Sequence, residues 1–387
     1  MLMLTRLVVA VLMSLPTIAA AQEPTAQMDP ITADLPAPVS VIAHRGASAL
    51  RPEHTLAAYA KAIEDGADAI EPDLVSTRDG FLVARHENEI SGTTDVADHL
   101  EFAARRTTKS IDGQTITGWF TEDFTLAELQ ALRARERLPR LRSTRYDGQF
   151  GIATLDEIIA LAASESATRG RSIGLVPEIK HSSHFAALGL AMEDKLLATL
   201  DAHEFTRRAP VTIQSFETAN LRALRRTLGK SHPNIRLLQL LGDNAEQPFD
   251  TVLAAQRTTY GDMTKADGLR QVAGYADAIG VSLKNLALRS DAGHPRSALV
   301  DAAHAAGLKV VAYTFRPENH FLGVGFRGEG EAAARNEAGS VDEMRACLAA
   351  GIDALFTDDP ALGRRAVDAG PWPEHGGRQN VNPPAAR

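Results

Sequence analysis

Short apolar runs alternate with longer amphipathic stretches along most of this chain, which is the pattern of repeated strand–helix units. The predicted strands are residues 40–43, 69–75, 173–179, 211–214, 235–241, 278–283, 308–314 and 354–356. The predicted helices are residues 55–65, 155–163, 186–203, 217–228, 297–306 and 341–350. Eight strands with intervening helices predict an α/β fold of the TIM (β/α)8 barrel type.

Some stretches depart from this rhythm. Residues 77–80 read Thr-Arg-Asp-Gly, a tight turn, so the run at 81–85 must return antiparallel to the second strand as an accessory hairpin. This hairpin is expected to bring His86 back over the barrel mouth.

Residues 91 to about 150 are polar and rich in Arg, Thr and Gly, and we interpret them as an insertion that caps one end of the barrel. Residues 267–275 and 323–339 are predicted as smaller loops.

The composition changes at both ends of the chain. Residues 1–21 carry one positive charge, a short apolar run and a small-residue cleavage site, which predicts a cleaved signal peptide. The apolar run is too short to span a bilayer core of roughly 30 Å, so no stable membrane anchor is expected. We predict a flexible leader at 22–38, the barrel domain at 39–365 and a disordered tail at 366–387. The expected location is therefore periplasmic or secreted.

Bulk composition excludes some functional classes. The 387 residues are 44% hydrophobic and 23% charged, as in globular proteins, and the formal net charge is −8. This charge argues against a nucleic-acid partner, because such proteins usually present a basic face to the phosphate backbone. A single cysteine, Cys347, excludes an internal disulfide. The oligomeric state is left open.

Three acidic residues lie at the ends of predicted strands. Glu71 and Asp73 are two apart on one strand and share a face, and Glu178 ends the next strand. Since the carboxyl ends of barrel strands converge at one mouth, the three carboxylates can meet there. Each acid alone could cap a helix or form a surface ion pair, but the three together, beside His44, favour one divalent cation. An all-carboxylate set favours Ca²⁺ or Mg²⁺ over Zn²⁺.

Two histidines and two basic residues accompany these acids. An imidazole exchanges a proton near neutral pH, so His44 and His86 are the candidate general acid and base. Arg45 offers a planar fork that can bind two phosphate oxygens. Lys180 shares a face with Glu178 and is a candidate phosphate contact, with a plain ion pair as the open alternative.

Together, these segments resemble the glycerophosphodiester phosphodiesterase family. The matching stretches are His44-Arg45-Gly46-Ala47-Ser48, Pro52-Glu53-His54-Thr55, Glu71-x-Asp73-Leu74, Thr77-x-Asp79-Gly80, Val83-x-x-His86 and Pro177-Glu178-Ile179-Lys180. Weaker matches are Gln214-Ser215-Phe216, Ala312-Tyr313-Thr314-Phe315 and Phe356-Thr357-Asp358. The ordered set spans residues 41–360 and is far more specific than a lone His-Arg-Gly.

The resemblance implies a TIM barrel that hydrolyses small-molecule glycerophosphodiesters to glycerol 3-phosphate and an alcohol. It assigns acid–base roles to His44 and His86 and a phosphate contact to Arg45. It also assigns metal ligation to Glu71, Asp73 and Glu178. Glu53 belongs to the Pro-Glu-x-Thr element and is implied as a supporting residue.

Further features resemble the periplasmic branch of the family, which commonly uses Ca²⁺, so this ion is favoured over Mg²⁺. Those features are the His54 version of the Pro-Glu-x-Thr element, the export signal and the long insertion. The family usually has His-Asp at the second histidine, whereas this chain has His86-Glu87. Because the acid is kept at Glu87, which we assign a supporting role, we expect activity to be retained.

Two alternative functions are a phospholipase-type phosphodiesterase acting on intact lipid and a catalytically silent periplasmic binding protein. The first predicts a membrane-seeking patch near the barrel mouth, and the aromatic content of 5% gives it little support. The complete set of acids and histidines argues against the second. The sequence leaves open the headgroup preference, and whether water or the glycerol 2-hydroxyl attacks the phosphate.

Overall fold

The structure is a computed structural model that describes residues 39–229, 231–291 and 294–370. The predicted signal peptide, the leader up to residue 38 and the tail from residue 371 lie outside the described residues. Within the part that is described, no helix combines the length and apolar character needed to cross a bilayer.

Most strands belong to one sheet. The strands in chain order are β1 (Ser40–His44), β2 (Ala69–Glu71), β3 (Asp73–Ser76), β4 (Leu82–Ala84), β5 (Thr107–Ile111), β6 (Gln114–Gly118), β7 (Gly174–Leu175), β8 (Glu178–Ile179), β9 (Val211–Ser215), β10 (Ile235–Leu241), β11 (Ala278–Ser282), β12 (Arg289–Asp291), β13 (His294–Arg296), β14 (Lys309–Phe315) and β15 (Ala354–Thr357).

The main sheet closes into a parallel barrel with eight strand positions among the described residues. Strand β1 pairs in parallel with β2 on one side and with β15 on the other, which closes the ring. Two positions are each shared by two short strands, β2 with β3 and β7 with β8. The breaks fall at Pro72 and Pro177, because proline has no N–H to donate to the ladder. The predicted TIM barrel is confirmed.

Helices surround this barrel. In chain order they are α1 (Leu56–Glu64), α2 (Leu126–Ala131), α3 (Leu155–Arg169), α4 (Ser182–Ala187), α5 (Glu193–Ala202), α6 (Ala219–Leu228), α7 (Phe249–Leu253), α8 (Tyr260–Met263), α9 (Ala266–Ala273), α10 (Leu283–Leu286), α11 (Ala298–Ala305), α12 (Glu337–Ala349) and α13 (Pro360–Asp368). Short 3-10 helices lie at Val96–Asp98, Leu100–Arg105, Thr121–Asp123 and Val324–Phe326.

Three predicted boundaries need correction. The predicted loop at 267–275 is largely helix α9, whose buried Leu269 and Val272 lie three residues apart on one side. The predicted helix at 186–203 is two helices, α4 and α5, separated by a turn at Gly189 with φ of +74°. Helix α13 continues to Asp368, past the predicted domain end at 365, because Ala366 is fully buried.

The predicted accessory hairpin is present. Strand β4 pairs antiparallel with β3, and the turn between them is closed by the Thr77 hydroxyl, which donates to Asp79 at 2.6 Å. Gly80 adopts φ of +82° at the end of this turn. The next residues after β4 are Arg85 and His86, so the hairpin returns His86 toward the barrel mouth.

The insertion is built from short elements. It contains the antiparallel hairpin of β5 and β6, helix α2 and an irregular segment from 132 to 153. Asp112, in the turn between β5 and β6, accepts a hydrogen bond from His181 at 2.6 Å. Since His181 lies two residues after the end of β8, the insertion contacts the carboxyl end of the barrel.

Side chains along a strand point alternately into and out of the barrel, and this alternation positions the polar groups of the interior. Ile42, Ala69, Ala354 and Phe356 belong to an apolar cluster inside the barrel. Residues two positions further along a strand face the same side, which places His44 above Ile42 and Glu71 above Ala69. A polar layer therefore lies directly over an apolar one.

Gly46 lies in the loop after β1, at a position that leaves no space for a side chain. It adopts φ of +88°, and a Cβ there would lie 2.7 Å from the backbone carbon of Ala58 in α1. Because strain and crowding add, Gly46→Ala should lower the free energy of unfolding by about 2–5 kcal/mol, measured by urea denaturation.

Gly148→Ala is the matched control, since Gly148 also has a positive φ, +77°, but nothing lies within 4 Å of an added Cβ. It should cost only about 1 kcal/mol. Equal losses in the two variants would contradict close packing at Gly46.

Candidate active site

Strand register brings the predicted acids and His44 together at the carboxyl end of the barrel. His44 on β1 lies opposite Glu71 on β2, and Asp73 on β3 lies opposite Glu178 on β8. Glu178 in turn lies opposite Gln214 on β9. Neighbouring parallel strands are about 4.8 Å apart, so these side chains become neighbours in space although they come from distant parts of the chain.

The three predicted metal ligands form one buried cluster. Glu71, Asp73 and Glu178 each offer a carboxylate oxygen within 4.8 Å of the others. Their exposed fractions are 2%, 1% and 5%. The structure therefore brings together the three acids that the sequence singled out.

Each oxygen of Glu71 accepts a hydrogen bond. The backbone N–H of Arg45 donates at 2.8 Å and the Gln214 side-chain amide donates at 3.0 Å. These two donors, one from the residue that follows β1 and one from β9, set the orientation of the Glu71 carboxylate.

The carboxylate of Asp73 is oriented by His54. His54 Nε2 donates to Asp73 Oδ2 at 2.8 Å, and its Nδ1 accepts from the Tyr59 hydroxyl at 2.8 Å. His54 and Tyr59 are fully buried, and burial lowers the pKa of His54, so it acts here as a neutral donor. The His54 of the Pro-Glu-His-Thr turn thus supports the acid cluster.

Electrostatics within the cluster favour a bound cation. Burial and the charges of Asp73 and Glu178 raise the pKa of Glu71 well above its usual range. Burial and Asp73 also raise the pKa of Glu178 to about 8, against the opposing effect of Lys180. Three carboxylates packed out of water repel one another, and a positive ion among them removes that cost.

The donor chemistry of the cluster fits a hard divalent ion. Asp73 Oδ1 is buried and accepts no hydrogen bond, so it retains lone pairs for a ligand. All three side chains supply oxygen, which suits Ca²⁺ and Mg²⁺. The residues present therefore fit the predicted cofactor.

Lys180 and Arg45 provide the positive charge beside the acids. Lys180 Nζ lies 2.9 Å from Glu178 Oε1 and 3.5 Å from Asp73 Oδ1. Arg45 Nη1 donates to Glu53 Oε2 at 3.1 Å, and its Nε lies 3.5 Å from Asp73 Oδ2. Both cations are ion-paired with site carboxylates, and both also line the cavity described below.

His44 is held by a carboxylate from the last barrel strand. Asp358 is the first residue after β15, and its Oδ1 accepts a hydrogen bond from His44 Nδ1 at 2.6 Å. Burial and the nearby Arg45 charge lower the pKa of His44 to about 4, so the ring is neutral at pH 7. With the proton on Nδ1, the other nitrogen, Nε2, is free to accept one.

His86 has an equivalent arrangement. Its Nδ1 donates to Glu87 Oε1 at 2.5 Å. Burial and the charges of Arg45 and Lys180 lower the pKa of His86 to about 3, so this ring too is neutral and has an unprotonated Nε2. The longer acid in place of the usual Asp therefore still reaches the imidazole.

One cavity of about 140 Å³ connects these groups. Its lining contains His44, Arg45, Glu71, His86, Glu178, Lys180, Gln214, Phe216, Leu240, Tyr313, Thr314, Arg316 and Phe356. Two neutral imidazoles, three cations and two acids of the cluster, Glu71 and Glu178, therefore face the same small space. This combination can bind a phosphate ester and move protons on either side of it.

Some residues of the site were not assigned by sequence reasoning. Asp358 was only part of a weak family match, although an acid directly after a barrel strand is a recognisable signal. Gln214 likewise had only a weak match. Arg137 and Arg142 lie in an irregular stretch of the insertion, and nothing in the local sequence distinguishes them from neighbouring arginines.

Comparison with known proteins identifies the family of this chain. A sequence model of the glycerophosphoryl diester phosphodiesterase family matches residues 44–362. The protein named glycerophosphodiester phosphodiesterase GDPD6 of Arabidopsis thaliana is 34% identical over 336 residues, which is 82% of each chain. The chain belongs to the glycerophosphoryl diester phosphodiesterase family. The predicted family and enzyme class are confirmed.

A second curated protein is similar to this chain in sequence, and two solved structures are similar to it in fold. A glycerophosphodiester phosphodiesterase of Haemophilus influenzae is 29% identical over 255 residues, covering 62% of this chain and 68% of that protein. A solved structure of a Silicibacter pomeroyi protein assigned to the same family has a TM-score of 0.58 at 22% identity, covering 87% and 95% of the two chains. A phosphodiesterase of Oleispira antarctica has a TM-score of 0.50 at 20% identity, covering 86% and 97%. Both structures share the barrel fold.

The repulsion within the acid cluster predicts a pH-dependent stability. Because the folded state raises the pKa of Glu178 from an ordinary 4.5 to about 8, the metal-free protein binds this proton more tightly when folded. Relative to Glu178→Gln, the wild type should therefore lose stability as the pH rises from about 4.5 to about 8, with no further loss above that range. Urea midpoints measured in EDTA across this range test the prediction.

Glu204→Gln serves as the control, because Glu204 is exposed and its ion-pair partner among the described residues is Arg208 on the surface. It should track the wild type at every pH. The prediction would be wrong if the difference in unfolding free energy between wild type and Glu178→Gln stayed constant from pH 4.5 to pH 8.

Proposed function

We propose that this protein hydrolyses glycerophosphodiesters to sn-glycerol 3-phosphate and an alcohol, using one divalent cation and two histidines. The observation that carries the proposal is that the two carboxylate-bound imidazoles line one cavity together with Glu71 and Glu178 of the acid cluster. The Oleispira antarctica relative in fold was solved as a complex with the product sn-glycerol-3-phosphate. The same product is proposed for this chain.

The cation would be held by Glu71, Asp73 and Glu178. When bound, it polarises the phosphate and neutralises negative charge that develops during cleavage. We propose Ca²⁺ in preference to Mg²⁺, as the resemblance to the periplasmic branch implies. Export of the protein, which the first 21 residues predict, belongs to the same proposal.

The histidines supply the proton transfers. One neutral imidazole takes a proton through Nε2 from the attacking oxygen, which is either water or the glycerol 2-hydroxyl. The other takes up a proton at Nε2 from solvent and gives it to the departing alcohol, and the proton held by the first ring returns to solvent after cleavage. The carboxylates on Nδ1, Asp358 and Glu87, hold each ring in the tautomer with a free Nε2 and stabilise the imidazolium form.

The cations and the cavity shape contribute to substrate binding. Arg45 and Lys180 place positive charge against the phosphate oxygens, which stabilises charge as it develops. A second groove of about 550 Å³ adjoins the cavity and shares Glu178, Lys180 and Phe216 with it. This groove offers space for the alcohol part of a small diester.

Removal of divalent ions tests the metal. EDTA-treated protein should lose release of glycerol 3-phosphate from glycerophosphocholine, and Ca²⁺ should restore more activity than Mg²⁺. Ion binding should also raise the unfolding temperature, since a ligand at 100 times its Kd stabilises the native state by about 2.7 kcal/mol.

Glu178→Gln should lose both effects while remaining folded. Unchanged turnover and unchanged unfolding temperature after chelation would reject the metal part of the proposal. Activity on micellar phosphatidylcholine that exceeds activity on glycerophosphocholine would favour the phospholipase alternative.

The histidine roles have a direct test in turnover. His44→Ala and His86→Ala should each lower kcat about 10²–10⁴-fold, because each removes a proton-transfer group. His203→Ala is the control, since His203 pairs with Asp156 at the end of α5, away from the cavity lining. Near wild-type kcat in His44→Ala or His86→Ala would refute the role of that residue.

A further inference from the structure

The two carboxylates that hold the imidazoles are themselves bound by two arginines of the insertion. Arg137 and Arg142 lie five positions apart in the irregular segment between α2 and α3. Arg137 binds Glu87, the partner of His86, and Arg142 binds Asp358, the partner of His44. One short stretch of chain therefore contacts both histidine–carboxylate pairs.

Arg137 bridges two acids with both edges of its guanidinium. Nη1 and Nη2 donate to the two oxygens of Glu87 at 2.9 and 2.6 Å. Nε and Nη2 donate to the two oxygens of Glu53 at 2.7 and 2.6 Å. This double fork fixes the plane of the Glu87 carboxylate, which a single flexible ion pair would not.

Glu53 links this bridge to the rest of the site. Its Oε2 accepts from Arg45 Nη1 as well as from Arg137 Nε. Arg45, Glu53, Arg137, Glu87 and His86 thus form one continuous chain of charge-assisted hydrogen bonds. The longer side chain of Glu87 has more rotamers than the usual Asp, and the Arg137 fork selects one of them.

Arg142 has a similar position on the opposite histidine. Its Nη2 donates to Asp358 Oδ2 at 2.6 Å, while Asp358 Oδ1 accepts from His44. Its Nε donates to Glu318 at 2.7 Å and its Nη1 donates to the Ser48 carbonyl at 3.0 Å. Only 6% of the Arg142 side chain is exposed, so this geometry is enclosed by protein.

Neither arginine is part of the surface that would contact substrate. Arg45, Lys180 and Arg316 line the cavity, whereas Arg137 and Arg142 do not. Direct phosphate binding therefore does not explain their placement. Their contacts point to an action through Glu87 and Asp358.

We propose that Arg137 and Arg142 are positioning residues, which align His86 and His44 respectively through Glu87 and Asp358. This inference rests on the proposed catalytic roles of the two histidines. It assigns the insertion a function in catalysis, because the same segment sets the orientation of both imidazoles. Loss of such an outer partner commonly lowers activity about 10–100-fold.

Single substitutions give the first readout. Arg137→Ala and Arg142→Ala should each lower kcat about 10–100-fold on glycerophosphocholine with little change in KM, since neither side chain contacts substrate. Arg140→Ala is the matched control, because Arg140 lies between them in sequence and is exposed. It should retain wild-type kcat and KM.

Double substitutions separate positioning from general stability. In a His86→Ala background, Arg137→Ala should have no further effect on kcat, whereas in a His44→Ala background it should keep its full effect. Arg142→Ala should show the reverse dependence. Nitrogen NMR of the imidazoles should show the same pairing, with His86 signals shifted only by Arg137→Ala and His44 signals only by Arg142→Ala.

Several outcomes would overturn the proposal. They are wild-type kcat in folded Arg137→Ala or Arg142→Ala, equal losses in both histidine backgrounds, and a KM effect without a kcat effect.

If Arg142→Ala does not fold, Arg142→Lys replaces it, since lysine keeps the charge but cannot form the fork. Arg142→Lys should lower kcat and shift only His44; wild-type kcat would overturn the proposal. By contrast, full activity of His44→Ala or His86→Ala would refute the proposed function itself.

Discussion

Three carboxylates held together out of water are the constraint on which the rest of this site depends. Glu71, Asp73 and Glu178 converge because strand register makes them neighbours, and the backbone of each is fixed in the barrel wall. Their repulsion is reduced by Lys180 and by hydrogen-bond donors to both oxygens of Glu71 and to Asp73 Oδ2. The incomplete compensation, seen in the raised pKa values of Glu71 and Glu178, favours a positive ion among the three carboxylates.

The two imidazoles that line the cavity are positioned by different elements. His44 belongs to the first barrel strand, whereas His86 follows an antiparallel hairpin that returns over the mouth. Both rings are neutral because desolvation and nearby positive charges lower their pKa values, although 30% of the His86 side chain is exposed. Each is given a single tautomer by a carboxylate on Nδ1. The barrel thus supplies one rigid imidazole and the hairpin supplies its counterpart, so that both line one cavity.

The insertion connects these two halves of the site. Arg137 reaches Glu53 and Glu87, and Arg142 reaches Glu318 and Asp358, which ties the hairpin, the first loop and the last two strand ends to one segment. Such multidentate contacts between arginine and carboxylate are specific in geometry as well as favourable in energy. A glutamate at position 87 in place of the family's usual aspartate is compatible with this network, because Arg137 holds the longer side chain in place.

The sequence by itself determined the barrel, the hairpin and the acids at strand ends, because apolar periodicity and residue order along a strand are local properties. It also determined the family, since the motifs occur in a specific order. Only the tertiary structure decided that Asp358 holds His44, that His54 supports Asp73, and that Arg137 and Arg142 reach the site. These partners are separated by up to 314 residues, and nothing in a local pattern encodes such a contact. For the same reason helix α9 was predicted as a loop. Its two buried apolar residues stabilise the helix only by packing against other parts of the fold, which the local sequence does not show.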